Sequence, residues 1–203
     1  MAPHPPARDG GHPANRHARR AHGSTFRGRG GVSPQQKKFD WLTVLEARYF
    51  VLRLPPFHAN IRKRLVKSPK IYFYDVGLAS HLIGIEHAGQ IATHPLRGPL
   101  FENAVVVEAL KHRFNRGRRS NLSFFRDSRG LECDLLCENG HGMAAIEIKS
   151  GATVASDWFD SLKRVAKELP EIATRAVVYG GTDRQSRQDG EVVPLTDLSD
   201  LLE

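Results

Sequence analysis

GLECDLLCENGHGMAAIEIKS, residues 130–150, decides how this chain reads. Two short apolar runs flank a Gly-rich turn, ENGHG at 138–142, which is the pattern of a β-hairpin. Strand side chains alternate faces, so Glu132 and Asp134 point one way, and Glu147 and Lys149 share a face on the next strand. The intervening Cys133, Ile146 and Ile148 point into a core. Paired through the turn, the strands bring three carboxylates and an ammonium toward one edge of a sheet. Carboxylates at that density repel one another and call for a cation between them. An oxygen-only set suits Mg²⁺ or Mn²⁺. Lys149 would then orient or deprotonate a water, or neutralise charge building on a phosphate. The competing reading is a solvated Glu/Lys hairpin face, and on spacing alone the two stand level.

Outward from this hairpin the pattern is α/β. Residues 99–114, PLFENAVVVEALKHRF, read as a helix with Pro99 in its first turn and Leu100, Ala104, Val107 and Phe114 near one face. Glu102 on it reads equally as a first-turn acid favoured by the helix dipole. The basic loop NRGRRSN follows, placed to grip phosphates near the site if it lies close to Glu102. LSFFRD (122–127) is a strand joined to the hairpin by the turn DSRG. SDWFDSLKRVAKE (156–168) is an amphipathic helix capped by Ser156 or Asp157, followed by strands TRAVVYGG and EVVPL around a polar loop and a closing helical turn. Upstream, KIYFYD (70–75) alternates as a strand, Asp75 suits the N-cap of a helix over 76–85, and His87 to Leu96 is a loop. Residues 39–68 give a short helix, a strand ending at Pro55-Pro56 and a basic connection. The expected architecture is a mixed central sheet flanked by helices.

The formal net charge of +8 sits almost entirely in residues 1–38, with eight Lys/Arg against the single acid Asp9. That segment has few bulky apolar groups and is expected to be a disordered basic tail. The rest of the chain is near neutral, which excludes a broadly basic nucleic-acid-binding domain. A local patch between Arg48 and Lys70 argues for a local DNA contact; the tail's Arg and His also suit nonspecific contact with nucleic acid, but a plain unstructured extension is the preferred reading of the tail. The tail lacks the apolar region of a signal peptide, and nothing later approaches membrane-spanning length, so a cytoplasmic protein is expected. Cys133 and Cys137 lie about 13 Å apart on one strand, too far for a disulfide, and read as core thiols. The ten His lack metal-ligand spacing.

Three phrases taken in order carry a resemblance: GPLFENAVVVEAL, FFRDSRGLECDLLCENG and AAIEIKSGAT. They look like the C-terminal domain of unknown function attached to many prokaryotic AAA-type ATPases, itself similar to the PD-(D/E)XK, or restriction-endonuclease-like, fold. LPPFHANIRKRLVKSPKIYFYDVGLASHLIGI resembles the same family's approach to that domain, and the likeness runs over about residues 41–198. It implies a helix, three strands, a helix and a strand. Asp134 and Glu147 would be metal-binding acids, Lys149 the motif lysine and Glu102 the acid on the first core helix. Glu132 matches the family's R-D-x-x-G-x-E-x-D phrase.

The family's ATPase carries a G-x-x-x-x-G-K-[ST] phosphate loop before a winged helix. This chain has no such loop, so no ATP site is expected and an ATPase would be a separate partner. The expected organisation is a basic tail over 1–38, a partial winged-helix remnant over 39–69 exposing Trp41, Leu42 and Leu45, and a nuclease-like domain over 70–203. The implied function is Mg²⁺- or Mn²⁺-dependent DNA phosphodiester hydrolysis. The alternatives are a non-catalytic DNA- or protein-binding module, or a truncated gene remnant lacking the ATPase.

Overall fold

A computed structural model describes residues 34–57 and 67–203, with side chains from 41 onward. Of the tail expected over 1–38, residues 1–33 lie outside the described residues, as does the basic connection over 58–66, whereas residues 34–38 open a helix instead of continuing a disordered segment. Around the ENGHG turn, β4 (Glu132–Asn139) and β5 (Gly142–Lys149) pair antiparallel with Leu135 opposite Ile146 and Cys137 opposite Ala144. β3 (Leu122–Arg126) adds antiparallel to β4. On the other side, β6 (Ile172–Tyr179) and β8 (Gly190–Pro194) continue parallel to β5, and β7 (Gln185–Arg187) closes the edge antiparallel to β8. The six-stranded order is β3-β4-β5-β6-β8-β7, a mixed sheet as expected. β7 arises inside what reads as a polar loop, where Gln185, Ser186 and Arg187 carry none of the apolar signal of a strand.

Helices cover both faces. On one lies α3 (Arg97–Asn115), whose Val105, Val107, Ala109 and Leu110 pack on Leu135, Ile146, Ile148 and Val178. On the other lies α4 (Asp160–Glu168), whose Leu162 and Val165 pack on Cys133, Ala145 and Val177. With both faces covered, β5 is buried from Met143 to Ile148. Each fully buried aliphatic side chain there, Ile146 for example, contributes about 2 kcal/mol by leaving water. Both cysteines are buried free thiols.

α3 begins at Arg97, two residues before Pro99, so Glu102 falls beyond the first turn and is no first-turn acid. The segment over 156–168 starts as a 3₁₀ turn (Ser156–Phe159) with Ala155 at its cap and no side-chain cap, so neither Ser156 nor Asp157 caps it. His87 to Leu96 contains a 3₁₀ helix (Ala88–Thr93), started by a reciprocal cap between His87 and Gln90.

The upstream unit is α1 (Pro34–Ala47), a hairpin of β1 (Val51–Leu54) and β2 (Lys70–Phe73), and α2 (Val76–Leu82). Asp75 caps α2 as expected, accepting from the Gly77 and Leu78 N–H groups. The boundary expected at 69/70 falls within this hairpin, whose Leu54 and Tyr72 belong to the α3-side core. Trp41 is 70% exposed and Leu45 37%, while Leu42 is half-buried. Among the described residues no helix is long and apolar enough to cross a membrane.

Candidate functional site

The hairpin is locked to α3 by one amide. Asn103 is buried, accepts from the Phe73 N–H at 2.8 Å and donates to the Phe73 carbonyl at 2.7 Å. Its side chain thus does for β2 what a third strand would do. This docking carries Lys70 and Tyr72, two apart and so on one face of β2, against Glu102 next door on the helix. The Tyr72 hydroxyl donates to Glu102 Oε1 at 2.5 Å.

Lys70 Nζ then stands among three carboxylates: Glu132 Oε1 at 2.7 Å, Glu102 Oε1 at 2.9 Å and Asp134 Oδ1 at 3.3 Å. The Phe124 ring lies 5.4 Å from the same nitrogen. Burial alone would lower the Lys70 pKa, but the surrounding charge, Asp134 foremost, lifts it above the usual lysine range. The amine is therefore a permanent cation. Burial and the negative charge of Glu102 hold the Tyr72 hydroxyl above its ordinary range, against the pull of Lys70, so it remains a donor.

Asp134 joins this cluster to a second one. Its Oδ2 accepts from the Ile148 N–H at 3.0 Å, on the backbone between Glu147 and Lys149. Burial and the nearby Glu147 push the Asp134 carboxyl up to about 6, with Lys70 opposing them. Glu147, only 9% exposed, accepts from Lys149 Nζ at 2.8 Å and from the Ser161 hydroxyl of α4 at 3.0 Å. Burial lowers the Lys149 pKa and Glu147 more than restores it, so this amine too is charged and is no resting base.

The backbone behind Lys149 is held by Gly180, whose N–H donates to Lys149 O at 3.0 Å. A Cβ at Gly180 would lie 2.4 Å from Ser150 O, so only glycine permits that approach. An apolar cleft of about 260 Å³, lined by Ile71, Phe73, Leu82 and Leu96, opens beside Glu102.

Three carboxylates and an ammonium do converge, but not the set that the hairpin spacing suggests. The acids are Glu102, Glu132 and Asp134, and the amine is Lys70. Glu147 and Lys149 share a face as expected and pair with each other beside α4, next to this cluster. Lys70 and Tyr72 carry a faint signal in the alternation of KIYFYD, which sets two polar-tipped residues on one face; Asn103 carries none. The Arg-rich loop lies elsewhere. From Glu102 to Arg116, the C-cap of α3, the helix advances about 21 Å. Arg113, in the last turn of α3, donates to Arg119 O of that loop and to Leu202 O, and Arg116 pairs with Glu203. Within the basic patch expected around Arg48–Lys70, Lys70 is absorbed by the acids and Arg53 pairs with Glu46 at 3.1 Å.

A hard cation is the group that the acids imply. Their donors are all oxygens, the donor type that Mg²⁺ and Mn²⁺ prefer, and three of them aim at one point. That point is taken by the Lys70 ammonium. Among the described residues no three His, Cys, Asp or Glu side chains are set to hold a metal as they stand.

Residues 97–198 match the family model of a domain of unknown function, DUF4143, and residues 28–88 match a second, DUF8612, also of unknown function. Uncharacterized proteins of Mycobacterium tuberculosis and Mycobacterium bovis are each 31% identical over 144 residues. The match covers 71% of this chain and 31% of each relative, so the chain spans about a third of their length. No solved structure matches. The matched half of the chain holds the whole six-stranded sheet, α3 and α4, and with them Glu102, Asp134, Glu147 and Lys149: the chain belongs to the DUF4143 family.

Proposed function

We propose that this chain is a nuclease-like domain of the kind attached to AAA-type ATPases, and that its charged sheet edge hydrolyses DNA phosphodiesters with Mg²⁺ or Mn²⁺. The observation that carries this reading is the bridging position of Asp134. One of its oxygens turns to the Glu102–Glu132 cluster, and the other accepts from the backbone between Glu147 and Lys149. Asp134 and Glu102 would hold the cation, with Glu147 completing the set. The cation supplies Lewis acidity toward the phosphoryl group. Lys149, fixed by Glu147 and charged, would neutralise negative charge on the scissile phosphate. Ser161 holds the second Glu147 oxygen and so fixes the pair's orientation.

The test is cleavage of plasmid and single-stranded DNA with Mg²⁺ or Mn²⁺. Asp134→Ala and Lys149→Ala should each remove the activity, and variants that cut like wild type would sink the reading.

A second reading is favoured by the Lys70 contacts. A lysine that satisfies three acids leaves a charge-balanced site needing no metal, as in a module that binds DNA or a partner protein. Metal-independent, salt-sensitive retention of DNA in EDTA, without cleavage, would support this alternative.

A further inference from the structure

We propose that α1 is a dimerisation helix, whose stripe of Trp41, Val44, Leu45 and Arg48 pairs antiparallel with the same stripe of a second copy of this chain. This pairing does not depend on hydrolysis at the charged edge.

The stripe looks away from the rest of the molecule. From Trp41 to Ala47 the half-buried positions of α1 are Leu42 and Glu46, and the others are exposed. Arg53 of β1 reaches Thr43 at 2.9 Å and Glu46 at 3.1 Å. Trp41, Val44 and Leu45 are 70%, 51% and 37% exposed. Arg48 continues the helical turn, its N–H donating to Val44 O at 3.1 Å. The four positions run i, i+3, i+4 and i+7, so they share one face. A helix of 14 residues is marginal by itself in water, and an apolar face this bare calls for cover. The residues before α1 bring little of it, since Phe26 and Val32 are nearly their only bulky apolar groups.

The order of residues along the stripe matches a second copy. A two-fold axis between Val44 and Leu45 sets each against its own counterpart and puts Trp41 opposite Arg48 of the other copy. Among the described residues Arg48 has no ion pair, and an indole face is the best aromatic platform for a guanidinium. Each end of the paired helices therefore closes on a cation–π contact. Tyr49, 76% exposed in a left-handed backbone at φ 58°, where a helix end favours glycine, adds an aromatic rim.

The surface is large enough for the purpose. Aromatic side chains bury about 150–250 Å² each, so with Val44, Leu45 and the Arg48 stem two copies cover roughly 1,000 Å² in all. That is the low end for a specific interface, and it implies a dimer that forms as concentration rises. Residues 39–203 are nearly charge-neutral, so two copies approach without a large like-charge penalty.

The experiment is analytical ultracentrifugation of the full chain at concentrations up to about 200 µM. Wild type should pass from 22.7 kDa to twice that mass. Val44→Glu, which sets two carboxylates together at the axis, should stay monomeric throughout and unfold at the same temperature as dilute wild type. Arg48→Ala should weaken the dimer severalfold. On mild oxidation Val44→Cys should form an interchain disulfide, whereas Thr43→Cys, on another side of the helix, should not. Wild type that remains at 22.7 kDa at the highest concentration would overturn the proposal and leave the stripe to a different protein. A dimer that survives Val44→Glu, or that cross-links through Thr43→Cys as readily as through Val44→Cys, would overturn it as well.

Discussion

The two lysines of the charged edge are each tied to carboxylates, and they were assembled in opposite ways. Lys149 pairs with Glu147, two residues away on its own strand, and its side chain is 36% exposed. Lys70 pairs with acids 32, 62 and 64 residues away, on α3 and β4, and its side chain is 19% exposed. The first contact follows from the period of a single strand. The second exists only because β2, α3 and β4 have packed, so it depends on tertiary structure and in turn supports it. Charge is thus a local ornament at Lys149 and a structural tie at Lys70.

The sharpest way to break this contrast is to delete each amine. Lys70→Ala leaves Glu102, Glu132 and Asp134 facing one another without their shared cation. It should cost about 3 kcal/mol in metal-free buffer, measured by urea unfolding. Asn103→Ala tests the tie from the other side. It strands both backbone groups of Phe73 and should cost about 2 kcal/mol, with the loss spread over β1, β2 and the first turns of α3 in hydrogen exchange.

A somewhat smaller effect is expected at Asp127, buried in the turn that aims Glu132 and Asp134. Its Oδ1 accepts from the Arg129 and Leu131 N–H groups at 2.8 and 2.9 Å, and Asp127→Ala should cost about 1.5 kcal/mol. Burial alone would raise the Asp127 pKa, but these N–H groups and Arg129 hold it below the usual carboxylate range. A depressed acid stabilises the fold above its unfolded pKa, about 3.9, and that contribution is lost as pH falls through the lower folded value. Asp127→Asn should remove that part of the acid sensitivity, seen as a flatter stability profile below pH 4. The smallest effect belongs to Lys149→Ala, about 1 kcal/mol, because water reaches the half-exposed amine's place while the buried Glu147 keeps the Ser161 hydroxyl. A large loss at Lys149, or a negligible one at Lys70, would reverse the contrast.

The same contrast explains what the sequence made legible. The hairpin around ENGHG, the strand LSFFRD and the long helix are each written in local periodicity, and each stands where its pattern places it. Same-face pairing of Glu147 with Lys149 follows from period two. The meeting of Glu102 with Asp134 is implied by family likeness and not by spacing, since nothing local links a helix to a strand 32 residues on. For that reason Lys70 is only faintly legible, reading chiefly as part of a basic run, and Asn103 reads as an ordinary helical polar residue. β7 was missed because an edge strand of Gln, Ser and Arg is held by backbone pairing with β8 and buries little.

The grip of Asn103 on a single peptide unit of β2 fixes more than position. Because strand side chains alternate, a slip of β2 by one residue would withdraw the amine and present the branched sec-butyl side chain of Ile71 to the acids. The amide therefore acts as a phase lock. Length changes in the 83–96 connection should leave the chemistry of the edge alone, whereas one inserted residue between Lys70 and Phe73 should silence it without touching any charged group.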